Sequence, residues 1–211
     1  MTQALADVVH RYVAGTDPSR PPLLLLHGTG GNEDDLIGLG AAVAPGAALL
    51  SPRGQVLENG MPRFFRRLAD GVFDEADLER RAAELARFIA DARTAYTIPA
   101  PMALGFSNGA NMAAALLLLH PESLAGAVLL RGMAPLSAAP SANLAGKPVL
   151  LLSGSADTMI PAAKARRLAE ELTARGAAVD HTTVPGAHGL STRDVDLAQD
   201  WLARHTGASP T

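Results

Sequence analysis

Five short apolar runs and one further stretch of strand pattern constrain this chain more than any other feature: Leu23–Leu26, Ala47–Leu50, Met102–Phe106, Val128–Leu130 and Val149–Leu152, with Val179–Val184. Most are continuous rather than alternating, the pattern of strands covered on both faces, as in a parallel sheet. Helical patterns lie between them. Over Asp74–Tyr96, the residues Leu78, Ala82, Leu85, Phe88, Ile89 and Ala92 recur at spacings of three and four, with Glu79, Arg80, Arg81, Glu84 and Arg87 among them. That spacing predicts an amphipathic helix. Asn108–His120 is apolar nearly all round and stops before Pro121, so it belongs in the interior. Ala162–Arg175 stops at Gly176, and Thr192–His205 begins near a Ser/Thr cap and stops before Gly207. Strands alternating with helices imply an α/β chain with a mainly parallel central sheet and helices on both faces. Ligands of such sheets bind outside the carboxyl ends of the strands. The loops after Leu26, Leu50, Phe106, Leu130, Leu152 and Val184 therefore carry the search for a site.

The 211 residues fit one domain, 1–211, with no internal repeat; Ala134–Pro140 is the best linker candidate and is short. Lys and Arg number 18 against 21 Asp and Glu, a net charge of −3, which argues against nucleic acid bound by bulk charge. Apolar runs stay far below the roughly 18 residues of a membrane-spanning helix, so no stable membrane insertion is expected. The first twenty residues contain no signal-peptide core. The chain has no cysteine, which excludes disulfides, thiolate metal sites and a cysteine nucleophile, and suits a cytoplasmic protein. Aromatics are only 4%, so the core must be built from Ala, Leu and Val.

Gly105-Phe106-Ser107-Asn108-Gly109 fits G-x-S-x-G between an apolar strand and a helix, the setting that this motif requires. A serine at so sharp a turn is pushed above the sheet, with the positive end of the helix beneath it. The flanking positions crowd each other, so both are glycine. The plain alternative is an ordinary Gly-rich turn. A serine nucleophile needs a base, and the base needs an orienting acid. Of six histidines, His188 lies on a loop after a strand and before the last helix, with glycines on both sides, Pro185-Gly186-Ala187-His188-Gly189. Asp157 follows the strand Val149–Leu152 and also sits at the carboxyl edge. Asp180 begins a strand, at the wrong end, and Asp194 lies in the first turn of a helix, where a carboxylate commonly just complements the dipole. His27-Gly28-Thr29-Gly30-Gly31 is a second Gly-rich loop. It lacks the lysine of a phosphate-binding loop, and His27 reads as a structural residue packed beneath the turn.

Taken together, these residues resemble the α/β-hydrolase superfamily, and more narrowly the phospholipase/carboxylesterase family that includes acyl-protein thioesterases and bacterial carboxylesterases. The resemblance covers nearly the whole chain. Its anchors are Leu26–Gly31, Ser51-Pro52-Arg53-Gly54, Gly105–Gly109, Gly154 with Asp157 and Pro161, and Gly186 with His188-Gly189. Leu57–Arg67 looks like the bacterial branch related to quinone- and hydroquinone-linked hydrolases. The order Ser107, Asp157, His188 is the one that the superfamily implies for its triad. The resemblance also implies an oxyanion hole from the backbone N–H groups of Asn108 and Thr29, an α/β-hydrolase fold without a separate cap domain, and no metal or other cofactor. Asn108 stands where the thioesterase branch usually has glutamine. The dienelactone hydrolases, which use a cysteine, are excluded.

The expected activity is hydrolysis of small or short-acyl carboxylic esters through an acyl-enzyme. Thioester or lysophospholipid substrates for the same triad are the alternative, and a non-catalytic ligand-binding member of the fold is a third reading. Expected pocket residues are Arg63, Phe64, Met133, Met159 and Leu190. Arg131-Gly132-Met133 should border the site, and Arg63 could meet an anionic substrate group. Phe65, Phe73 and Phe106 should lie near it. The longest insertion, Arg53–Asp74, leaves little room for a lid. The partner is a small-molecule ester, and an exposed sheet edge or apolar face allows a homodimer.

Overall fold

The computed structural model describes residues 3–69, 71–138 and 140–206. Met1, Thr2, Asp70, Ala139 and residues 207–211 lie outside it, including Gly207, the expected stop of the last helix, and one residue of the Ala134–Pro140 linker candidate. In chain order the first elements are α1 (Gln3–Asp7), β1 (His10–Val13), β2 (Leu23–Leu26), α2 (Ile37–Val43) and β3 (Leu49–Pro52). Four short strands follow, β4 (Val56–Glu58), β5 (Met61–Arg63), β6 (Arg67–Ala69) and β7 (Val72–Phe73). Then come α3 (Glu75–Tyr96), β8 (Met102–Phe106), α4 (Asn108–Leu119) and β9 (Gly126–Leu130). The chain ends with β10 (Pro148–Gly154), α5 (Ala162–Thr173), β11 (Ala178–Val184) and α6 (Thr192–Thr206).

Seven strands form one sheet in the order β1-β3-β2-β8-β9-β10-β11. All neighbours are parallel except β1, which pairs antiparallel with β3 at one edge. The unbroken leucines of β2 show why the apolar runs suit this sheet. Leu24 and Leu26 enter one core, with the buried residues of α3, α4 and α5. Leu23 and Leu25 enter the other, with Val43 of α2 and Ala198, Trp201 and Leu202 of α6. The same division recurs in β9, where Ala127 and Leu129 face one core and Val128 and Leu130 the other. A period of two is present in both strands, hidden because both of their faces are apolar.

Helix α3 begins at Asp74, whose carboxylate accepts the Asp77 N–H, and ends at Thr97 in the left-handed region. These boundaries fall where the sequence places them. Other features differ from expectation, two of them near the site. The run Ala47–Leu50 becomes a strand only at Leu49 and continues to Pro52. The Arg53–Asp74 stretch is not an open loop: β4 pairs with β5, and β6 with β7. Between Glu58 and Met61, which pair, Asn59 and Gly60 both adopt positive φ, the two-residue turn that matches strand twist. The Asn-Gly pair was the legible signal for this hairpin.

Candidate active site

Ser107 occupies the junction of β8 and α4 with φ 53° and ψ −113°, a backbone conformation rare outside glycine. Its N–H donates to the Leu130 carbonyl of β9 at 2.9 Å, and its own carbonyl accepts the Asn111 N–H at 3.0 Å. The flanking glycines are steric necessities. A Cβ on Gly105 would lie 2.5 Å from the Gly109 carbonyl oxygen, and one on Gly109 would fall inside the Leu26 carbonyl. Strand β2 and helix α4 thus touch backbone to backbone, and the serine has no other place to go.

The parallel pairing of β10 and β11 brings the next two loops side by side. Backbone bonds from Ser155 to Val184 and from Ala156 to Gly186, each 2.9 Å, tie them together. His188 Nε2 lies 2.9 Å from Ser107 Oγ, and His188 Nδ1 lies 2.8 Å from Asp157 Oδ2. The other carboxylate oxygen of Asp157 accepts the N–H groups of Met159 and Ile160, both at 2.9 Å. The remaining histidines have other partners or stacking neighbours. His10 meets Tyr96 Oη at 2.7 Å, His181 meets Ser153 Oγ at 3.0 Å, and His205 stacks on Trp201.

Arg131 and Asp194 act differently from the expectation for either. Arg131 does not border the site: it is fully buried behind the histidine loop. Its Nη1 and Nη2 donate to the two oxygens of Asp194 at 2.7 and 3.0 Å. Its Nε donates to the Ala187 carbonyl and its Nη2 to the Gly189 carbonyl, each at 3.1 Å, so the guanidinium grips the backbone on both sides of His188. Asp194 is therefore more than a complement to the dipole of α6. Burial alone would raise its carboxyl pKa. The bonds from Arg131 and from the Ser191 N–H and hydroxyl outweigh burial and hold it below the ordinary value.

On the opposite side of Ser107, His27 is buried. Its Nε2 accepts the Gly54 N–H at 2.9 Å, which requires the proton on Nδ1, and Nδ1 donates to the Gly28 carbonyl at 2.7 Å. Burial pushes its pKa down, in keeping with the neutral tautomer that these bonds need. This histidine fastens the Gly28–Gly31 loop to the turn after β3. Arg63 Nη1 donates to Thr29 Oγ1 at 2.9 Å and pairs with Glu58 at 2.9 Å, while its Nε donates to the Phe65 carbonyl at 3.2 Å. The expectation that Arg63 meets an anionic substrate group is thus corrected in part. It lines the pocket, but its guanidinium bonds the loop that carries Thr29 and pairs with Glu58.

Thr29, Arg63, Arg67, Phe73, Ser107, Asn108, Asn111, Met133, Met159, Ile160 and His188 line one pocket, about 430 Å³ of space open to solvent. Phe64 and Leu190, expected among its walls, are not there. Phe64 is buried against the His27 ring and gives its N–H to Asn108 Oδ1. Leu190 is partly buried and packs against the core under α6. Phe65 is also in the core, edge-on to Phe73. Asn111 was missed. Asn111 stands one helical turn after Ser107, a spacing that puts it on the same face. Among the described residues no cluster of three or more His, Cys, Asp or Glu is placed to hold a metal ion, and no helix is long and apolar enough to cross a membrane.

A mostly parallel sheet between two helical layers, with a strained serine in the strand–helix turn at its carboxyl edge, is the α/β-hydrolase fold. The chain belongs to the phospholipase/carboxylesterase family, whose model matches residues 9–206. The Bacillus subtilis (strain 168) protein MhqD, named as a hydrolase, is 42% identical over 194 residues, 91% of this chain and 96% of that one. The crystal structure of the Bacillus cereus carboxylesterase superposes with a TM-score of 0.92 at 43% identity, covering 96% of this chain and 99% of that one. That of a carboxylesterase from Mesorhizobium loti gives 0.89 at 32% identity, covering 96% and 97%. The protein is an esterase-type hydrolase.

Proposed function

We propose that the protein is a serine carboxylesterase acting on small or short-acyl esters, with Ser107 as nucleophile, His188 as base and Asp157 as its orienting acid. The observation that carries this reading is the unbroken chain of contacts from Ser107 Oγ to His188 at 2.9 Å and from His188 to Asp157 at 2.8 Å. His188 Nε2 takes the Ser107 proton as the oxygen attacks the ester carbonyl. Asp157, bonded at Nδ1, keeps the ring in the required tautomer and stabilises the imidazolium. The N–H groups of Asn108 and Thr29 receive the oxyanion. The Asn108 amide is one of the first of α4, which have no intrahelical acceptor. Each such donor lowers the barrier by about 2.7–4 kcal/mol in enzymes of this kind. The tetrahedral species collapses as His188 protonates the leaving alkoxide, and the acyl group stays on Ser107. Water, deprotonated by His188, then attacks the acyl carbon and releases the acid.

The triad would serve a thioester or a lysophospholipid equally, so acyl-chain length separates the readings. The two small hairpins beside the pocket form no cap, which favours short or compact esters. The reading extends to a cytoplasmic, single-domain enzyme over residues 1–211, alone or as a homodimer. A fluorophosphonate probe should add one adduct mass to the wild-type chain and none to Ser107→Ala. The same substitution should lower kcat/KM by a factor of at least about 10⁴. Among p-nitrophenyl esters from C2 to C12, assayed beside acyl-CoA and acyl-peptide thioesters, the short oxygen esters should turn over fastest. An unlabelled wild-type serine together with no ester turnover would sink the proposal.

A further inference from the structure

Two side-chain amides on the first turn of α4 have no role in the triad, and both line the pocket. Asn108 and Asn111 are three residues apart, so their carboxamides stand on one helix face. Asn108 Oδ1 accepts the Phe64 N–H at 2.8 Å, and Asn111 Oδ1 accepts the Met133 N–H at 2.9 Å. A backbone N–H requires an acceptor, so each contact identifies the amide oxygen and commits it to the scaffold, leaving the NH₂ group as the end not held. Asn108 Nδ2 is buried with no hydrogen-bond partner among the described residues, although Asn108 is only 2% exposed. Asn111 is 4% exposed and is tied to the scaffold through Oδ1, but its Nδ2, unlike that of Asn108, is not a fully buried donor without a partner. A buried donor left without an acceptor is costly, and the cost is relieved when an acceptor arrives.

We propose that these two amides form a subsite for a second oxygen in the substrate, so that the preferred esters carry a neutral carbonyl or ether acceptor beside the scissile group. The inference rests on the esterase reading and narrows its substrate class. Asn111 is the specificity-determining member that can be tested apart from the chemistry, because the backbone N–H of Asn108 belongs to the oxyanion hole. The subsite discriminates between isosteres: a site with committed donors rejects the analogue that leaves them unpaired. Of the neighbouring walls, Met133, Met159 and Ile160 offer no side-chain donor, and the guanidinium groups of Arg63 and Arg67 pair with Glu58.

Two matched pairs of esters test the idea by pH-stat assay. Ethyl 4-oxopentanoate is compared with ethyl pentanoate for an acceptor on the acyl side, and 2-methoxyethyl acetate with butyl acetate for one on the alcohol side. In wild type, kcat/KM should favour the oxygenated member of at least one pair by about tenfold. Asn111→Asp keeps the acceptor for the Met133 N–H and replaces the donor by an oxygen, so that preference should fall about tenfold. Intrinsic ester reactivity cancels in this ratio of ratios. Asn111→Ala, read against the same pairs, serves if the aspartate variant loses its melting transition. Equal turnover within both pairs in wild type, or a preference that survives both substitutions, overturns the subsite. Fluorophosphonate labelling of Ser107 in each variant keeps that outcome distinct from failure of the esterase reading, in which the wild type itself is neither labelled nor active.

Discussion

At the scale of single residues, the same side-chain type does opposite work on the two sides of Ser107. His188 is partly exposed in the pocket, and in the proposed mechanism it changes its protonation. His27 is buried and bonded through both ring nitrogens, one accepting from Gly54 and one donating to Gly28. Protonation of His27 would force a second N–H against the Gly54 N–H. The sign of the pH effect follows. His27 has a depressed pKa in the folded chain, so the unfolded chain binds the extra proton first. Stability should therefore decline as the pH falls below about 6.5, the unfolded histidine value. His181, also pushed down by burial, adds to the same slope. Urea titrations from pH 7.5 to 5 should show the decline, and His27→Gln should flatten it; an unchanged slope would remove His27 as its source. Both the candidate triad and the structural reading of His27 were legible in the sequence, because the glycines and loop positions around them differ. The commitment of Arg63 to Glu58 and Thr29 was not legible, because nothing local in the chain indicates which carboxylate a given arginine will meet.

At the scale of elements, the loop between β11 and α6 is held by a residue from another strand. Arg131, just past β9, reaches the carbonyls of Ala187 and Gly189 and the carboxylate of Asp194. It is 0% exposed, and its charge is balanced by a carboxylate 1% exposed at the side chain. Removing one member of such a pair leaves an uncompensated buried charge, at a cost of about 3–5 kcal/mol. Asp194→Asn should therefore lower the unfolding free energy by about that amount. With the grip on both sides of His188 loosened, kcat should also fall in the fraction that remains folded. Denaturant unfolding and steady-state kinetics check the two effects separately, and a loss below about 1 kcal/mol would show the pair to be unimportant. Sequence reasoning assigned Asp194 to the helix dipole because the first turn of α6 is the only context visible locally. Its true partner is 63 positions away. Trp201 is a parallel case: its Nε1 donates to Asp180 Oδ2 at 2.6 Å and fastens α6 to the edge strand β11.

At the scale of the whole molecule, one sheet separates two cores that share no side chains. Val149 of β10 is buried on the side of α3, α4 and α5, and Val43 of α2 on the side of α6. Val→Ala at either position removes two methyl groups and leaves a void, a loss of about 1.5–3 kcal/mol each. Because the sites lie on opposite faces with no common neighbour, the double variant should lose the sum of the two within about 0.5 kcal/mol. A larger departure in denaturant titrations would mean that strain crosses the sheet. What the sequence alone determined is everything carried by short-range pattern. Its period of apolar residues set the strands and helices, its glycines set the sharp turn at Ser107, and its lack of cysteine excluded a thiol nucleophile. Only the tertiary structure decided which side chains meet: Arg131 with Asp194, Asn111 with Met133, Phe64 behind His27 rather than in the pocket. Burial and periodicity are properties of a residue and its near neighbours. A hydrogen bond between distant strands depends on sheet order and register, which many sequences with the same pattern could satisfy in different ways.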